Sequence, residues 1–186
     1  VSVGLFRDAE RVLNENGVDL ERSSSAFLYQ STPAVPVEAS LEQQFAQVRQ
    51  RLADLPTVEK VSQSHSPLQE FIRTVVVSGR TASQYPVYLK RIDHAYLGIT
   101  GQSLALGRNF SAAEIQQGAS VALVNTAFAQ GLERDGGVLG TALSRGDGDT
   151  YTVVGVVDDL AYPGTAADSP RIYLPASEAG SNFIIK

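Results

Sequence analysis

Hydrophobic positions along this chain repeat with two periods. Runs of strand length, bounded by turn residues, stand at Val75-Val76-Val77, Val121 to Val124 and Tyr151 to Val157. One segment carries a helical stripe instead. Leu41, Phe45, Val48, Leu52 and Leu55 are spaced by four, three, four and three, which places them on one face, while Gln43, Gln47, Gln50 and Arg51 fall off it. Ser40 can cap this helix with Gln43 completing a capping box, and Pro56 closes it.

Taken in order, Leu5, Phe6, Ala9, Val12 and Leu13 predict a short amphipathic helix within residues 1–18. A strand is expected within 20–31, centred on Ala26 to Tyr29, and another over Val58 to Ser64. Strand, helix and strand over 20–64 make a β-α-β unit. Thr74 to Ser78 and Tyr85 to Ile92 read as a hairpin across a polar turn. His94 to Thr100 gives one or two helical turns. Ser111 caps a helix through Gln117, with Glu114 at the capping-box position. Thr126 to Arg134 is helical, carries Phe128 and Leu132 on one face, and is stopped by Asp135-Gly136-Gly137. Gly146 to Asp149 is a tight turn between a strand at Ala142–Ser144 and the strand Thr150–Val157. Residues 161–169 form a loop, and Arg171–Leu174 and Asn182–Lys186 are the last strands.

The 186 residues suffice for one sizeable core or two small subdomains. Hydrophobic and charged fractions of 43% and 19% are those of an ordinary folded protein. A net charge of −5 offers no general attraction to nucleic acid or anionic lipid. With no cysteine, disulfides, thiol catalysis and cysteine zinc sites are excluded. No apolar run reaches the roughly 20 residues that cross a bilayer. The start at Val1 and the lack of methionine suggest a segment of a longer gene product.

Candidate chemistry is sparse. His65 and His94, the two histidines, have no partner at ligand spacing and read as structural or surface residues. Asp147 and Asp149 lack the further oxygens of a calcium loop. Asp158-Asp159 follows a strand, and the expectation is a solvated strand end. Ser64, Ser66 and Ser103 have no nucleophile elbow, and Gly137-Val138-Leu139-Gly140 has no phosphate-binding lysine. Arg108, between Gly107 and Asn109-Phe110, is the most informative charge, expected to bond carbonyls or a carboxylate at the core edge. No catalytic, cofactor-binding or metal residue is assigned, and no cofactor is expected. Gly155 interrupts four valines, which implies a bulge or a close neighbour, with Thr126–Arg134 the expected one.

One ordered set of motifs runs from Tyr96 to Pro175: Tyr96-Leu97-Gly98-Ile99, Gly107-Arg108-Asn109-Phe110, Val121 to Asn125, Leu139-Gly140, Val153 to Val156 and Tyr173-Leu174-Pro175. Val48-Arg49-Gln50-Arg51-Leu52, leading into Leu55-Pro56-Thr57-Val58, adds a seventh, with Thr57 where the pattern usually has glycine. In this order the motifs resemble the extracytoplasmic domain of MacB/FtsX-type ABC-transporter permeases over nearly the whole chain. The resemblance implies an α+β fold with a porter-like β-α-β subdomain, residues 1–72 plus 171–186, and an inserted Sabre-like α/β subdomain, residues 73–170. It implies a periplasmic location in a bacterial inner-membrane protein, between two membrane helices, with an apolar span before Val1. The implied role is mechanotransmission without enzymatic activity. ATP hydrolysis would belong to a cytoplasmic ATPase subunit or domain reached through the membrane helices. A periplasmic adaptor or a second permease copy is the implied further partner, and nucleic acid is not. A ligand-sensing module for a peptide or lipid is the alternative, and a soluble enzyme a second. The family normally continues with a further strand-helix-strand. Its absence after Lys186 fits either a truncated chain or a shorter subgroup, and would leave a sheet edge unpaired.

Overall fold

The computed structural model describes residues 2–5, 24–29, 41–64, 72–161, 166, 168–176 and 182–186. Its strands are β1 (Ser2–Leu5), β2 (Ser24–Tyr29), β3 (Val61–Ser64), β4 (Ile72–Ser78), β5 (Gln84–Ile92), β6 (Leu104–Gly107), β7 (Val121–Asn125), β8 (Ala142–Arg145), β9 (Thr150–Val157), β10 (Arg171–Pro175) and β11 (Asn182–Ile185). The helices are α1 (Leu41–Ala53), α2 (Tyr96–Thr100), α3 (Ala112–Gln116) and α4 (Thr126–Arg134). The fold is α+β. No helix among the described residues is long and apolar enough to cross a membrane.

A four-stranded sheet has the order β1-β2-β11-β3, antiparallel throughout. The last strand of the chain therefore inserts between β2 and β3, which run parallel to each other on either side of it. This is a split form of the predicted β-α-β unit. Val48 and Leu52 on α1 pack, half-buried, against buried Val61 and Phe183 of the sheet. Two expectations change. Ser2–Leu5 is a strand, held by ladder pairing from Ser2 opposite Tyr29 to Leu5 opposite Ala26, where a helix was predicted to begin. The remainder of that predicted helix lies outside the described residues, as does the side chain of Phe45. Leu55 is 47% exposed, because α1 ends at Ala53 and the chain turns off the helical path before Leu55 can extend the stripe.

The second sheet has the order β6-β9-β7-β10-β5-β4-β8, and β8 also pairs with β9. Six strands thus close into a ring. The ring is possible because β9 is long. Its first residues, Thr150 to Thr152, pair with β8, and its last, Gly155 to Val157, pair with β6, while β7 runs parallel along the other edge. The β4–β5 and β8–β9 hairpins match the sequence reading. In the second, Gly148 takes φ +95° in the turn, a conformation that glycine adopts without penalty. The resemblance groups Arg171–Pro175 with the closing strand of the first part. β10 instead lies inside the ring, parallel to β5 and antiparallel to β7.

Alternation along the strands divides the second sheet into two faces. Val76, Val87, Leu89, Ala122, Val124, Val153, Val156, Ile172 and Leu174 point into the ring and meet Phe128, Ala129 and Leu132 of α4. Full burial of a side chain such as Phe128 contributes about 1.5–3 kcal/mol. Ile92, Leu123, Val157 and Tyr173 form the outer layer with Tyr96, Leu97 and Ile99 of α2, Phe110, and Ile184 from the small sheet. A bulge where the register shifts between Ala122 and Leu123 lets Val153 and Val156 share the inner face, and brings Gly155 opposite Leu123.

Candidate functional site

The two sheets meet at Asp93. This residue leaves β5 and precedes α2, where a short acceptor can collect backbone amides that a helix start leaves unpaired. Its Oδ1 accepts from the amides of Ala95 and Tyr96, at 3.0 and 3.1 Å, and from the Ser62 hydroxyl of β3 at 2.8 Å. Its Oδ2 accepts from the Gln63 amide at 3.0 Å and lies 4.0 Å from the Arg49 guanidinium on α1. Asp93 is only 5% exposed, and these donors are what allow a carboxyl group to be buried there. One side chain therefore ties β3 and α1 of the small sheet to β5 and α2 of the ring. Sequence reasoning passed over it. The available signal was an aspartate standing between a strand and a short apolar helix.

A cleft of about 590 Å³ opens above this tie, between α1 and α3. Arg49, Gln63, Asp93, His94, Ile115 and Gln116 are among its lining residues.

Two further polar centres stand where connections leave the ring, one at Asn125 and one at Arg108. Asn125, fully buried at the end of β7, accepts from the amides of Phe128 and Arg171 through Oδ1, at 3.2 and 2.7 Å. Its Nδ2 donates to Asp159 and to the Ser169 carbonyl. Arg108 forms a two-pronged bond to Glu114, both contacts at 2.7 Å, and donates to the Asn109 carbonyl. This is the bonding expected of Arg108, though its side chain is 55% exposed. Glu114 also completes the predicted capping box with Ser111. The Arg108 guanidinium foremost, then the Ser111 amide, hold the Glu114 carboxyl down at about 2. After α4, Asp135 accepts from Thr81 and Tyr85 at 2.6 Å each, which lowers its pKa, and burial with that same carboxylate raises that of Tyr85.

The other residues singled out by sequence are dispersed. His94 is exposed at the cleft, while His65 and Ser66 lie outside the described residues. Asp147 pairs with Arg145 at 2.8 Å and accepts from the Asp149 amide, and Asp149 accepts from Tyr151. Asp158 is exposed, but Asp159 is not a free strand end, since it accepts from Asn125 and from the Ala127 amide. Ser103 is exposed, and Thr141 bonds the Gly137 carbonyl inside the 137–141 turn. Among the described residues no three His, Cys, Asp or Glu side chains gather as a metal would need. The hydrogen bonds at Asp93, Asn125 and Glu114 either cap a helix start or join separate elements of the fold, so their chemistry here is positioning.

The model for the MacB-like periplasmic core domain matches residues 3–185. The periplasmic region of MacB from Actinobacillus actinomycetemcomitans is similar over 97% of this chain and 79% of its own, with 15% identity and a TM-score of 0.65. The extracellular domain of the noncanonical ABC-type transporter YknZ from Gram-positive bacteria is similar over 86% and 80%, with 16% identity and a TM-score of 0.58. A domain of a putative permease from Porphyromonas gingivalis is similar over 72% and 63%, with 17% identity and a TM-score of 0.52. At such identities these likenesses are of fold. No curated protein matches the chain. The family match spans almost every residue, and the chain belongs to the MacB-like periplasmic core domains, the extracytoplasmic part of MacB-like ABC-transporter permeases.

Proposed function

We propose that this domain is a mechanical element. It receives motion generated by ATP hydrolysis across the membrane and passes it to a substrate or periplasmic partner, without catalysing a reaction itself. The observation that carries this reading is the Asp93 tie. A transmitting body must not yield between its input and its output, and the buried Asp93 carboxyl accepts two hydrogen bonds from β3 of the small sheet, from Ser62 and Gln63, while two more from Ala95 and Tyr96 fix it to the start of α2. Ile184 of the small sheet, buried with Ile92, Tyr96 and Tyr173 of the ring side, adds an apolar contact across the same boundary. The porter-like and Sabre-like division fits these sheets if the boundary falls between Pro175 and Asn182 rather than before Arg171.

The test is the full permease with its ATPase, carrying Asp93→Ala. ATP hydrolysis should persist while transport or partner activation falls by about tenfold or more, since several kcal/mol of coupling contacts are removed. Unchanged transport in a folded Asp93→Ala protein would remove the basis of the proposal.

A further inference from the structure

We draw no further inference here: the strongest candidate, the open edge of β6 with exposed Leu104 and Leu106 and with Leu139 close to Gly107, carries nothing because no feature among the described residues shows what covers it.

Discussion

Gly107 and Gly155 face each other across β6 and β9. A Cβ on Gly107, which has φ +73°, would strike the Val154 carbonyl and approach the Gly155 Cα at 2.9 Å. One on Gly155 would strike the Arg108 carbonyl and approach Leu123 Cδ2 at 2.9 Å. The two glycines let the β6–α3 connection lie directly on the sheet. The close neighbour foreseen for Gly155 therefore exists, but it is the backbone at Arg108, not the helix Thr126–Arg134.

Gly155→Ala is accordingly expected to destabilise by about 1–3 kcal/mol, and Gly155→Leu by more, through overpacking against backbone that cannot turn aside. Urea midpoints of the two variants and the parent measure this. A Gly155→Leu midpoint equal to the parent's would mean the β6–α3 connection is not held against β9.

Glu114 gives the domain an acid-sensitive contact. Its folded pKa of about 2 lies below the ordinary 4.5, so its contribution is complete above 4.5 and is lost as pH falls through about 2. Because Arg108 is largely in solvent, the pair is worth only about 1 kcal/mol. Glu114→Gln should lower the melting temperature at neutral pH and flatten its decline in that acid window. Identical acid profiles for variant and parent would show that the pair contributes nothing.

The small sheet makes a graded test of burial. Phe183, 1% exposed, should cost about 3–5 kcal/mol on truncation to alanine. Half-buried Leu52 should cost about 1–2 kcal/mol as Leu52→Ala, because part of its surface is already in water. Exposed Leu55→Ala should change stability by under about 0.5 kcal/mol. If Leu55→Ala matched Leu52→Ala, the helix would have to run on to Leu55 as the sequence stripe implied.

Asn125 serves as both donor and acceptor, so shape alone cannot replace it. Asn125→Asp keeps the acceptors for Phe128 and Arg171 but sets a second carboxyl group against Asp159 and loses the bond to the Ser169 carbonyl. A loss of about 2–4 kcal/mol is expected, read by thermal unfolding. Stability equal to the parent's would mean that the Nδ2 donor is dispensable.

Features fixed by neighbours in sequence could be read from it. The Ser111–Glu114 capping box spans three residues, the Gly146–Asp149 turn joins adjacent strands, and Thr126–Arg134 shows its own apolar face, so each was legible. Features fixed by distant partners were not. Ser2–Leu5 is extended because Ala26 to Tyr29 lie beside it, and no local pattern reports that. Every residue of Leu104–Gly107 is exposed, so β6 carries no alternation of burial to read and exists through its pairing with β9. Ring closure depends on β8 meeting β9 and β4 together, and Asp93 acquires its meaning from Ser62 and Gln63, thirty residues away. Arg171–Leu174 showed its type but not its sheet, since strand order is a long-range property.

The central claim is that both sheets move as one body. It is tested most directly by spin labels on the full permease at Gln47 of α1 and Glu133 of α4, both exposed. Pulsed electron–electron resonance would read their separation in the ATP-bound and ADP-bound states. A rigid transmitter predicts one narrow distance, unchanged between the states within about 2 Å, and a distribution that broadens in Asp93→Ala. A separation that shifts by more than this between nucleotide states in the parent protein would contradict the account, because the sheets would then hinge at the junction that is held to couple them.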